Sequence, residues 1–104
     1  MVEKPITLSY IDAKKLSELA KLNNTLVKVD HIHTYSCGFR KIKTIYNQNK
    51  NLISINSIGG GYGPFRKDIN SIWDWGVHDL AMCLDLLGTY PLGINSIILN
   101  EDYI

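Results

Sequence analysis

Asp74 and His78 stand four residues apart in the stretch Ser71-Ile72-Trp73-Asp74-Trp75-Gly76-Val77-His78-Asp79. On a helix this spacing stacks a carboxylate and an imidazole on one face. The carboxylate can then hold the ring in one tautomer and raise its basicity, which suits a histidine that takes a proton from a hydroxyl group. The same spacing also fits a plain ion pair in a first helical turn. A second group is His31-Ile32-His33. In an extended chain, alternation puts His31 and His33 on the same side. Two such histidines could be metal ligands, but no convincing third and fourth ligand follow at a zinc spacing; a small metal-binding protein using His31, His33 and His78 is the remaining metal reading. Polar groups at the carboxyl end of a strand, where α/β ligand crevices form, are the alternative. A third group is Tyr62 and Arg66 in the run Gly59-Gly60-Gly61-Tyr62-Gly63-Pro64-Phe65-Arg66, where both could contact a polar ligand.

These residues need elements to position them. Residues 71–87 read as one amphipathic helix. Ser71 and Asp74 match a capping box, Val77, Leu80, Ala81, Leu84 and Leu87 form a stripe for burial, and Gly88 sits at the C-terminal cap. Ser9 and Asp12 give another capping pattern, opening a helix near 10–22 that ends at Asn23-Asn24. The β-branched run 25–32 reads as a strand. Phe39, Ile42, Ile45 and Tyr46 predict a helix over 36–48, and the polar break 47–51 divides the chain into units 1–50 and 51–104. Strands are predicted at 52–58 and 93–99. The glycine run between them is neither a dinucleotide fingerprint nor a P-loop, because the required strand, helix and Lys-Ser/Thr context is missing.

Composition narrows the classes. The chain has 104 residues, 11 Lys+Arg against 10 Asp+Glu and a formal charge of +1. That balance predicts neither a nucleic-acid surface nor an acidic tail. No apolar run approaches the ~20 residues that span a bilayer, and the first residues contain no signal-peptide core. Cys37 and Cys83 form no CxxC pair, and two reduced thiols point to a cytoplasmic protein with no membrane partner.

With these elements placed, the chain resembles the middle portion of the Gfo/Idh/MocA family, NAD(P)-dependent oxidoreductases related to glucose–fructose oxidoreductase and inositol dehydrogenase. Glu3-Lys4-Pro5 before a helix and a strand is similar to the family's Glu-Lys-Pro motif, and Trp73-Asp74-Trp75-Gly76-Val77-His78-Asp79 to its D-x-G-x-H-D stretch. Leu86-Leu87-Gly88 followed by Pro91 is similar to its exit into the next strand. The resemblance implies an α/β fold: residues 1–50 as the C-terminal half of a Rossmann-like nucleotide-binding domain, and 51–104 as the start of an α+β mixed-sheet substrate and oligomerisation domain. It implies hydride transfer between NAD or NADP and a secondary alcohol of a sugar or cyclitol. Lys4, Asp74 and His78 would be the catalytic set: His78 as general base, Asp74 orienting it, and Lys4 stabilising charge on the substrate oxygen. Lys4 and Pro5 would also touch the cofactor. The strand–GxGxxG–helix that anchors the pyrophosphate and most of the C-terminal sheet are absent, so the chain is expected to be inactive alone and to bind NAD(P) only when the missing half is supplied. The rival expectation is a non-catalytic remnant or an oligomerisation module. Open sheet edges and uncovered apolar faces predict a homo-oligomer or a partner chain.

Overall fold

A computed structural model describes residues 1–63 and 68–97. Three α-helices form the architecture: α1 (Tyr10–Leu22), α2 (Cys37–Asn49) and α3 (Val77–Leu87). A 3₁₀ turn, Ile32–Tyr35, leads into α2, and a π-helical turn, Ile72–Gly76, leads into α3.

Local chemistry explains where the helices start and stop. The Ser9 hydroxyl accepts from the Asp12 amide at 3.3 Å, and the Ser36 hydroxyl accepts from the Phe39 amide at 3.2 Å. Each satisfies one of the amides that a helix start leaves without a partner. Gly88 takes φ +67°, the left-handed cap that glycine adopts without a steric penalty, and donates to the Leu84 carbonyl at 2.9 Å. Ser71, expected as the cap of the third helix, is itself helical and makes no capping bond. Asn70 does the capping: its side-chain oxygen accepts from the Trp73 amide at 3.1 Å and its carbonyl from the Asp74 amide at 3.0 Å.

The expected α/β, Rossmann-like fold is overturned: the described residues contain helices and no strand. One isolated parallel bridge pairs Val2 with Val29. The Val2 amide donates to the Lys28 carbonyl and the Asp30 amide to the Val2 carbonyl, both at 2.9 Å. Residues 25–30 carry no regular structure beyond that bridge, and the chain then turns into the 3₁₀ segment, so the strand predicted at 25–32 does not form. Residues 52–58 likewise form no strand among the described residues, and Ile53 is 97% exposed. The strand predicted at 93–99 is unpaired over 93–97, and Ile98 and Leu99 lie outside the described residues. The reason is physical. β-Branched residues favour a pleated surface only where cross-strand neighbours exist, and a parallel ladder needs its partners already assembled.

Packing is thin. Phe39, at 7% exposure, is the buried apolar side chain among the described residues, and His78, at 8%, is the buried polar one. The stripe expected to bury α3 does so in part: Val77 and Ala81 are half-buried, whereas Leu80, Leu84 and Leu87 face outward. Lys43 of α2 pairs with Asp85 of α3 at 2.7 Å. The Tyr35 ring lies between the Lys28 ammonium at 4.8 Å and the Arg40 guanidinium at 5.8 Å, tying the 3₁₀ turn to its flanks. The chain presents 9318 Å² to solvent, where a compact monomer of 11.8 kDa presents about 5,900 Å². Its radius of gyration is 15.9 Å, against about 13 Å for a compact chain of this length.

Candidate functional site

The Val2–Val29 bridge is what assembles the site. Because the pairing is parallel, the segments after Val2 and after Val29 leave in the same direction. One delivers Lys4, and the other delivers His31 and His33. Both meet the start of α3, whose π-helical turn and first residues carry Asp74, Trp75, His78 and Asp79.

The Lys4 ammonium donates to the Asp74 carboxylate at 3.0 Å and also to the Asp74 carbonyl oxygen, across 70 residues of chain. The two side chains are 17% and 28% exposed. Pro5 follows through a cis peptide bond and is half-buried. The pairing expected from spacing, Asp74 with His78, gives way to this one. A carboxylate gains more from a full ammonium charge than from a neutral imidazole, and Lys4 arrives within reach.

His78 is buried by a different neighbour. Its ring packs edge-to-face against His33, with centroids 4.4 Å apart and planes at 87°. The Trp75 ring stands 6.4 Å away. The Nδ1 atoms of His78 and His31 are both buried without a hydrogen-bond partner. Desolvation, first, then the charges of His33, Lys4 and His31, push the His78 imidazole below its ordinary pKa, and Asp74 pulls weakly the other way. The net direction is opposite to the raised basicity that the Asp74–His78 spacing suggests. Burial and the neighbouring positive charges therefore favour the neutral imidazole. The 3₁₀ turn at Ile32–Tyr35 also removes the alternation argument for His31 and His33. They reach the site by a tight turn, not from one side of a strand. Among the described residues, no three His, Cys, Asp or Glu side chains are grouped to hold a metal ion.

A cleft of about 210 Å³ opens beside this cluster, with His33, Gly59, Trp75, His78, Asp79 and Met82 in its walls. The glycine run forms one wall by close approach. A Cβ on Gly61 would overlap the Trp75 ring, and one on Gly59 would lie 2.7 Å from an Asp79 carboxylate oxygen. Glycine is required at Gly61 because the obstacle there is a rigid indole; at Gly59 the carboxylate could rotate away. Tyr62, expected to contact ligand, is fully exposed and does not line the cleft. Arg66 lies outside the described residues. Trp75 and Asp79 are wall residues to which sequence reasoning gave no role, and His33 was singled out only as a possible metal ligand. The His-x-His pair was the available signal for His33, but only a turn, not a strand, brings it to His78.

The described residues do not fit a dinucleotide. The glycine run leads to no helix N-terminus aimed at a phosphate, and the Asp79 carboxylate lies against it, where a pyrophosphate would be repelled. The cleft is also smaller than the ~300–1,000 Å³ typical of sites for drug-sized ligands, and the Lys4 ammonium is engaged by Asp74. No family model, curated protein or solved structure matches the chain.

Proposed function

We propose that this chain carries an acid–base site for a small hydroxyl- or carbonyl-bearing molecule, sugar-like in size, and that it forms the proton-handling part of an oxidoreductase. The observation that supports this reading is a buried His78 on the wall of a cleft, with the Lys4–Asp74 ion pair at the turn that leads into its helix. His78 would take the proton from a substrate hydroxyl. Lys4 would stabilise negative charge on the same oxygen, with Asp74 holding the ammonium in place. The oxidoreductase assignment rests on the resemblance of Glu3-Lys4-Pro5 and of Asp74 to Asp79 to the Gfo/Idh/MocA motifs. In that reading NAD or NADP is held by a partner chain, because these residues form no dinucleotide site.

The test is a pair of titrations of the purified chain. Calorimetry with NAD⁺ and NADP⁺ is expected to show no micromolar binding. A cyclic polyol such as inositol, at millimolar concentration, is expected to shift the Trp75 and His78 resonances, and His78→Ala is expected to abolish the effect. Micromolar dinucleotide binding would overturn the division of labour. Silence of both resonances toward the polyol would overturn the site itself.

The exposed surface favours a second reading, in which the chain is an interaction module and the acid–base residues are not used. The outward leucines of α3 and the apolar residues of α1, among them Ile11, Leu16 and Leu19, leave apolar faces uncovered. Either reading calls for a second copy or a partner chain.

A further inference from the structure

The buried Nδ1 of His78 has no hydrogen-bond partner. A histidine that handles protons ordinarily has its second nitrogen fixed by a carboxylate or a carbonyl, which sets ring orientation and tautomer. Asp74 would be the obvious donor of that restraint, but its carboxylate is committed to Lys4. What holds the His78 ring is the edge-to-face contact with His33 at 4.4 Å, an arrangement in which the edge of one ring is attracted to the π-face of the other. Both rings line the same cleft. Because Nδ1 is shut off from solvent, Nε2 is left as the nitrogen that can exchange a proton with the cleft.

We propose that His33 is the positioning residue of this site: its ring holds the His78 ring beside the cleft, and its charge works against a proton there. The inference deepens the acid–base reading and rests on it for its functional meaning. Positive charge on a ring in van der Waals contact disfavours a proton on His78. Lys4 from the N-terminal segment and His31 from ahead of the 3₁₀ turn act in the same direction as His33, Asp74 from the π-helical turn offsets them only in part, and Asp79 lies on the cleft wall beside the two rings.

The experiment is a histidine NMR titration of the full chain without ligand, following the ring Cε1–H signals of its three histidines. In the native chain the His78 midpoint is expected below the ordinary value of about 6.5. In His33→Phe, which keeps an aromatic ring in the contact and removes its charge, the His78 midpoint should rise. In Asp74→Asn it should fall. A native His78 midpoint at or above about 6.5 would overturn the proposal, and so would an unmoved His78 midpoint in a folded His33→Phe variant. The native curve decides the matter even where a variant fails to fold. Because no ligand is present, failure of the polyol to bind would remove the function without touching the His33–His78 contact.

Discussion

The Lys4–Asp74 contact links the N-terminal segment to the π-helical turn across 70 residues, and its removal has a calculable effect. Lys4→Met keeps the aliphatic stem and deletes the charge. Fully exposed ion pairs contribute about 0.2–1 kcal/mol, whereas breaking a fully buried pair costs about 3–5 kcal/mol. With side chains 17% and 28% exposed and a second bond from the ammonium to the Asp74 carbonyl, this pair falls between the two. An estimate of about 1–2 kcal/mol follows. The energy is local, because it holds the N-terminal segment against the π-helical turn. It should appear as opening of residues 73–77, and not as a general loss of helix. Amide hydrogen exchange reads this directly: about 1–2 kcal/mol corresponds to exchange faster by roughly 5–30-fold. The amides of Trp73 and Asp74, bonded to the Asn70 side chain and carbonyl, are the reporters, and the amides of α1 are the control. Asp74→Asn should give a similar increase. The double variant should be little worse than either single one, since both remove the same interaction. A change of less than twofold at residues 73–77 would refute the tether. An equal change throughout α1 would show that the effect is global and that the local argument is wrong.

Two further outcomes follow from the same structure. His78 has its pKa lowered by folding, so between the unfolded value of about 6.5 and the lower folded value the unfolded chain binds more protons. Stability that is present above about pH 6.5 is therefore lost as the pH falls through the folded-state value. Urea midpoints measured from pH 7.5 down to 5 should decline over that window, and His78→Asn should flatten the decline; an unchanged slope would remove His78 as its cause. The assembly expectation is equally direct: with a surface well above the compact value, sedimentation velocity at micromolar concentration should show species heavier than the 11.8 kDa chain. A compact, cooperatively unfolding monomer would count against it.

How much of this was legible from sequence depends on the range of the interaction concerned. The helices were legible because their signals are local. Ser9, Ser36 and Gly88 satisfy backbone groups within three or four residues, and no distant partner has to arrive. The expected strands were not, because Thr25 to Ile32 and Leu52 to Ile58 carry β-favouring residues but need cross-strand neighbours that lie elsewhere in the chain or in another chain. The site divides along the same line. His78 was selected by its spacing from Asp74, and that spacing is real; the chemistry assigned to it was displaced by a non-local charge. Lys4 reaches Asp74 across 70 residues, and an ion pair outcompetes the bond from a carboxylate to a neutral ring. Once Asp74 is taken, its pull toward a more basic His78 is outweighed by burial and the neighbouring positive charges. Its environment becomes two further histidines, a lysine and an apolar wall, all of which favour the neutral form. The i, i+4 rule thus picked out the buried histidine of the cluster and misidentified what governs it. The parallel bridge at Val2 and Val29 decides both outcomes, since it delivers Lys4 to Asp74 and His33 to His78 in a single step.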